Sequence, residues 1–418
     1  MLLQFSCSNF RSIKDTITFS MRSLNDSSPL KRVVLFEGIN FERISVIYGA
    51  NGSGKSNFIS AVDFARFIVT HCLSFQPGQL INACPHKLLG PTSPSVFSFH
   101  FEIHNVRYVY SFSVKNSIID EEYLYFFPNG RKTKIFSRNG LHITPGSKYK
   151  HSFALSLNVL QDNRLFLSCA ANYSRAEEIK NAFIFFSDNL VIYKVHIDSP
   201  RTNNWYEYSV QTMQNNPAIK SMFLKFLHLL DTGIRDVRTE MKKFSVKDFD
   251  ENMPESVKDF LKNSVTLQAS IIYEHFETDL MTEESTGIQK LFQMICPILD
   301  ILMKGKVLFC DEIETGLHEA VVHKIIELFY ELYLDKKAQM IFTTHDTSLL
   351  DAKLFLRGQI WFTQLTKERA TDLYSLAEIR HVRKDENLAR GYISGKYGAI
   401  PILNQNFMLS EDKDADHA

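Results

Sequence analysis

The chain has 418 residues, long for one compact domain and short for three well-separated ones. Apolar residues make up 44% and charged residues 22%, enough for a sizeable core, while Lys plus Arg and Asp plus Glu balance at 47 each, so no global field points at nucleic acid. The six cysteines (Cys7, Cys72, Cys84, Cys169, Cys296, Cys310) show neither CxxC nor Cys/His ligand spacing, which argues against a structural zinc or a disulfide framework. The N-terminus lacks a secretory leader pattern and no run approaches the roughly 18 apolar residues that span a bilayer, so the chain reads as soluble and cytoplasmic, without a membrane partner.

In chain order, Val33–Phe36 and Ile44–Tyr48 are strand-like apolar runs, and the second leads directly into a glycine-rich loop. A helix is expected after the loop, because Phe58, Ile59, Val62, Phe67 and Ile68 recur at helical spacing. From about residue 95 the period becomes two. Val96–Ile103 and Tyr108–Val114 flank a His104-Asn105 turn, and Leu124–Phe127 and Lys134–Ser137 flank Pro128-Asn-Gly130, which predicts antiparallel hairpins. Residues 154–190 read as helical. Residues 205–264 are polar and are expected to form a small helical insertion, or lid, with Met222–Leu230 its main apolar run. A strand follows over Val265–Tyr273, and the acidic stretch 411–418 reads as a disordered tail. The implied division is 1–204 and 265–410 as two halves of one head, interrupted by the insertion. The fold class is α/β: a P-loop NTPase head with a mixed central sheet and an added antiparallel β-layer. The abundance of phenylalanine, 34 residues, reads as core packing.

Four short segments carry chemistry. Gly49-Ala-Asn-Gly-Ser-Gly-Lys-Ser56 fits G-x-x-x-x-G-K-[ST], and the strand before it and helix after it are the context that motif requires. Backbone N–H groups of Asn51, Gly52, Ser53, Gly54, Lys55, Ser56 and Asn57 could cradle phosphates at a helix start. Lys55 would reach the β- and γ-phosphates of ATP, and Ser56 would hold Mg²⁺. The apolar run Lys306–Cys310 ends in Asp311-Glu312, which suits Asp311 to the metal and Glu312 to activating water. Met340–Thr344 ends in His345, a candidate γ-phosphate contact; a strand-end histidine by itself is more often structural. Ser285 and Gly287 open an apolar helix. Ser285 could be merely its N-cap, or with Gly287 could present the helix start to a phosphate held by another subunit.

The order P-loop, Ser285-containing helix, Asp-Glu strand, Glu314-Thr-Gly-Leu-His318 and strand-end histidine resembles the ABC/SMC/RecF superfamily of ATPase heads. More narrowly, the chain is similar to the bacterial AAA-type ATP-binding proteins that include RloA and AbiL-type abortive-infection ATPases. That likeness rests on Asn9-Phe-Arg-Ser12, Asp231-Thr-Gly-Ile234, Glu284-Ser-Thr-Gly287, Leu317-His318, Thr343-Thr-His-Asp346, Gln359-Ile-Trp-Phe362 and Lys396-Tyr-Gly-Ala-Ile-Pro401. The resemblance implies ATP hydrolysis in a head-to-tail dimer. Lys55, Ser56, Asp311, Glu312 and His345 would act in cis, and Ser285 and Gly287 in trans. Two positions depart from the pattern: Ile288 stands where a polar residue is usual, and Gly316 where a serine is frequent. Gln161 is the candidate for the Q-loop glutamine.

Such ATPases often work with a nuclease, yet too few residues follow Trp361 for a fused TOPRIM domain. Arg66 and His71 match the loose R-x₄-H ribonuclease pattern, on a helix where packing explains them more simply. Arg380–Lys384 with Arg390 and Lys396 is a basic patch, either a solvated edge or a contact to nucleic acid. The expectation is therefore an ATPase that senses infection or gates a separately encoded effector, such as a TOPRIM or HNH nuclease, in anti-phage defence. The alternative is a RecF/SMC-type DNA clamp.

Overall fold

A computed structural model describes residues 1–24, 29–194, 204–243, 265–383 and 386–400. The strands in chain order are β1 (Leu2–Ser8), β2 (Ile17–Ser20), β3 (Val33–Phe36), β4 (Ile39–Glu42), β5 (Ile44–Gly49), β6 (Ser95–Ile103), β7 (Val106–Lys115), β8 (Ile118–Phe127), β9 (Thr133–Asn139), β10 (His142–Pro145), β11 (Leu190–Tyr193), β12 (Asp236–Lys243), β13 (Val265–Ile272), β14 (Glu277–Asp279), β15 (Val307–Cys310), β16 (Gln339–Thr343), β17 (Ile360–Leu365) and β18 (Thr371–Ser375). Helix α1 (Lys55–His71) follows β5.

Two large sheets carry the architecture. The central one runs β11-β15-β16-β5-β17-β18, parallel except for β18. The other is wholly antiparallel, β10-β9-β8-β7-β6-β1-β2. A mixed sheet beside an antiparallel β-layer is the α/β class expected.

The side-chain period of two divides the central strands between two cores. Ile47, Val307, Phe309, Ile341 and Trp361 point into a core shared with α1 and the antiparallel sheet. Val46, Tyr48, Leu308, Cys310, Met340, Phe342 and Phe362 point into a second core under the helices Thr286–Lys304 and Glu319–Glu331. Parallel strands covered on both faces are apolar throughout, and all of β5 and β15 is buried. The phenylalanines concentrate in the first core: Phe5 meets Phe58 edge-on at 5.7 Å, Phe19 packs on Trp361 at 4.9 Å, and Phe101 stacks on Phe185 at 4.1 Å.

The hairpins follow local chemistry. His104 and Asn105 take left-handed φ of 50° and 61°, the two-residue turn whose twist matches the strands it joins. Asn116 and Ser117 do the same between β7 and β8, at 50° and 65°.

The described part of the expected helical insertion combines two helices with a strand. Helices Asn204–Asn215 and Pro217–Leu229 pack on the Thr286–Lys304 helix, and then Asp236–Lys243 forms β12, paired along its length with β13. Its high charge masks a strand in which Val237 is buried between half-buried Asp236 and exposed Arg238; pairing with a partner strand overrides the polar composition. Residues 244–264 and the acidic tail 411–418 lie outside the described residues. Among the described residues all six cysteines are free thiols, only Cys84 exposed, and no helix is long and apolar enough to cross a membrane.

Candidate active site

The site forms at the carboxyl ends of β5, β15 and β16, which lie side by side in the parallel sheet, the position where open α/β sheets bind ligands. β5 delivers the chain into Ala50–Gly54, and α1 starts at Lys55. Gly49 tolerates no Cβ, which would collide with Thr363 and Ser53 Oγ. Gly54, at φ 112°, is the helix N-cap; it takes a left-handed conformation and lies against Thr371, where a Cβ would overlap the threonine hydroxyl. A glycine cap has no side chain, and none caps this helix, so its first N–H groups stay open toward the loop. That arrangement fits a bound anion such as a phosphate chain.

Asn51 and Gly52 are exposed at the loop tip, Ser53, Gly54 and Lys55 are buried, Ser56 is exposed on the first helical turn, and Asn57 is half-buried. Lys55 Nζ donates to Gly49 O at 2.7 Å and Ala50 O at 3.2 Å. Burial pushes its ammonium down to about 8, against the opposing fields of Asp311, Glu312 and Glu314. The Asp-Glu pair therefore lies within electrostatic reach of the P-loop lysine.

Asp311 is buried, and Thr343 Oγ1 donates to its Oδ1 at 2.6 Å while accepting the Glu312 N–H at 2.8 Å. One threonine on β16 thus fixes two consecutive residues that follow β15. Glu312 holds φ 48°, costly for a residue with a Cβ, and its carboxylate is half-exposed. Its Oε1 stands 4.0 Å from His345 Nε2. Burial and Lys55 hold the His345 imidazole below its ordinary value, against Glu314, Glu312 and Asp311. Lys55, Asp311, Glu312 and His345 therefore share one electrostatic neighbourhood. Two oxygen donors, the exposed Ser56 hydroxyl on the first turn of α1 and the Asp311 carboxylate just past β15, are hard-oxygen chemistry of the kind that suits Mg²⁺.

Ser285 and Gly287 stand apart from this group. Ser285 Oγ accepts from Ile288 N at 3.3 Å and caps its helix, the simpler of its two readings. The residue is exposed, and its hydrogen bonding among the described residues does not reach the P-loop. A Cβ on Gly287 would lie 3.9 Å from Gly316 O, and Lys290 Nζ donates to Thr315 O, so the helix start abuts the loop after Glu312. Gln161 lies elsewhere. Arg138 donates to its carbonyl at 3.1 Å, and its neighbour Asn163 bonds Gln76 O beyond the carboxyl end of α1, opposite the P-loop, so it is not a Q-loop residue. His71 is taken up by its own helix, stacked on Phe67 at 4.7 Å. In the basic patch Lys396 pairs with Glu386 at 2.6 Å, and Lys384 lies outside the described residues.

Sequence reasoning missed the groups that brace the loop. Ser53 Oγ and Thr363 Oγ1 are 2.7 Å apart, Thr371 Oγ1 donates to Ser53 O at 3.1 Å, and Ser12 Oγ, 2.7 Å from Thr371 Oγ1, accepts from Asn57 Nδ2 at 2.6 Å. Arg11 Nη1 reaches Asn57 Oδ1 at 3.4 Å. Asn9-Phe-Arg-Ser12 was the only local signal for any of these; Thr363 and Thr371 come from more than 300 residues away, on β17 and β18.

The head of an SMC protein bound to the C-terminal winged-helix domain of ScpA is 13% identical, with 90% of this chain and 97% of that chain covered and a TM-score of 0.47. The SMC head domain from Thermotoga maritima gives 14%, 90%, 98% and 0.43 in the same terms. No curated protein matches the chain at a significant level. A family model described as AAA domain, putative AbiEii toxin, type IV toxin–antitoxin system matches residues 44–351, from the first residue of β5 past His345. With the P-loop, the Asp-Glu strand and the strand-end histidine all inside that span, the chain belongs to this family of AAA-domain ATPases.

Proposed function

We propose that the chain binds ATP with Mg²⁺ at Gly49–Ser56 and hydrolyses it in a composite site, closed by Ser285 and Gly287 of a second copy docked head to tail. The observation that carries this reading is the convergence of Lys55, Asp311, Glu312 and His345 at the ends of three adjacent strands, while the capped Ser285 helix start is exposed against the loop after Glu312. Lys55 would exchange its two carbonyl partners for phosphate oxygens. Ser56 and Asp311 would hold Mg²⁺, whose charge offsets that of the phosphates. Glu312, free of any strong partner, would accept a proton from the attacking water, and His345 would hydrogen-bond the γ-phosphate.

The cellular role is proposed as anti-phage defence, with ATP turnover gating a separately encoded effector such as a TOPRIM or HNH nuclease. Support comes from the family description, which names a toxin–antitoxin setting.

The test uses purified protein and two variants. Lys55→Ala should lose ATP binding in isothermal calorimetry, and Glu312→Gln should bind ATP yet turn it over at least 100-fold more slowly (about 3 kcal/mol of barrier). Turnover by Glu312→Gln at the wild-type rate removes the assigned base. For the cellular role, phages are plated on cells carrying the intact locus or its Lys55→Ala form; equal plaque counts across a broad panel refute defence.

A further inference from the structure

Each backbone N–H is a strong donor, so the acceptors that a loop's amides find reveal what holds it. After β16 the chain passes through Thr344–Ser348. Thr344 N donates to Ile47 O at 3.2 Å, Asp346 N to Thr344 Oγ1 at 3.0 Å, and Ser348 N to Asp346 Oδ1 at 2.8 Å. These bonds are to β5 or within the loop itself. His345 N differs: it donates to Glu314 Oε1 at 2.6 Å, a side chain on the loop that carries Glu312.

We infer that Glu314 is a positioning residue for hydrolysis, a clamp that fixes His345 opposite Glu312 by accepting the His345 backbone N–H. This inference rests on the ATPase reading above and adds a residue to it. Glu314 is itself held. Ile313, fully buried, donates its N–H to Thr343 O at 3.2 Å, and Leu317 N closes a turn onto Glu314 O at 2.9 Å. The second carboxylate oxygen is buried with no protein donor among the described residues. Among the described residues the Glu314 side chain therefore has one hydrogen-bond donor, the His345 amide. A charge-assisted bond of this kind is stronger than a neutral one, and it locks the residue whose Nε2 faces Glu312. The carboxylate also sits among charges that matter to the site, since its field is felt at Lys55, Lys290 and His345.

Glu314→Ala and Glu314→Gln test the inference, since glutamine keeps an acceptor oxygen and removes the charge. Glu314→Ala should lower kcat by about 10- to 100-fold, the scale of a catalytic group displaced by about an ångström, with ATP Kd within about twofold of wild type. Glu314→Gln should recover kcat to within about threefold. In parallel, hydrogen exchange of nucleotide-free protein should show faster exchange in the peptide containing His345 for Glu314→Ala and wild-type exchange for Glu314→Gln. Unchanged exchange in Glu314→Ala overturns the clamp, as does a Glu314→Gln enzyme as slow as Glu314→Ala. If wild-type protein itself hydrolyses no ATP while the exchange pattern appears as expected, the ATPase reading and the role in hydrolysis fall, and only the Glu314–His345 hydrogen bond stands.

Discussion

Burial works on Lys55 and Glu42 in opposite directions of charge, and pH separates the two. Lys55 titrates near 8 in the nucleotide-free protein, and phosphates favour its charged form. ATP affinity should hold constant up to about pH 8 and then weaken, approaching tenfold per unit, as the free enzyme loses its proton. Calorimetric titrations between pH 7 and 9.5 measure this, and identical Kd values across that range contradict it. Glu42, at the end of β4, is buried; desolvation raises its carboxyl to about 7, against the Ser23 hydroxyl bond and Arg32. Its folded value lies above the ordinary 4.5, so the folded state holds its proton more tightly. The stability tied to that proton is complete below pH 4.5 and is lost as pH rises through 7. Glu42→Gln cannot ionise, so thermal melts should show the variant gaining on wild type from pH 5 to pH 8. A constant difference in Tm across that window refutes the assignment.

At the scale of elements, single side chains stitch distant strands together. Gln339, the first residue of β16, accepts from Leu2 N at 2.7 Å and donates to Leu2 O and Glu42 O, both at 3.1 Å, joining the antiparallel sheet to the central one. Gln339→Leu leaves three buried backbone groups without partners, at about 1–3 kcal/mol each, so urea unfolding should show a loss of at least about 3 kcal/mol. Thr371 braces Ser53 and packs on Gly54. Thr371→Val keeps the shape and removes the hydroxyl. ATP binding should weaken roughly 3- to 10-fold, the worth of about one hydrogen bond, with little change in Tm; wild-type affinity would show that the bracing is idle. The elements themselves were mostly legible. β5, α1, the hairpins about His104 and Pro128, β13 and β15 announce themselves through local period and turn chemistry, whereas β12 does not, because its partner strand and not its own composition makes it a strand.

For the molecule as a whole, the composite site is the decisive expectation. Ser285→Arg should leave ATP binding intact and abolish turnover, while Lys55→Ala should abolish both. Neither variant can build a complete site alone. Mixed, they can: the Lys55 of one chain meets the Ser285 of the other. Equimolar mixing should restore about a quarter of wild-type activity, since half of randomly paired dimers are mixed and each has one of two sites intact. A mixture as inactive as its components rejects the head-to-tail dimer.

By itself the sequence determined the chemistry that depends on neighbours in the chain. Glycines at 52 and 54 shape a loop because their backbone freedom is intrinsic, and the apolar runs that end at Asp311-Glu312 and His345 carry no polar face, as strands covered on both sides require. Only the tertiary structure decided what those residues lean on. Thr343 sets the pose of Asp311 and Glu312, Thr363 and Thr371 hold the loop, and Glu314 holds His345. A threonine or glutamate has no local signature for such work. Its partner lies about 30 to more than 300 residues away in sequence, and only the pairing of β15 with β16 and the order β5-β17-β18 bring such partners within a hydrogen bond.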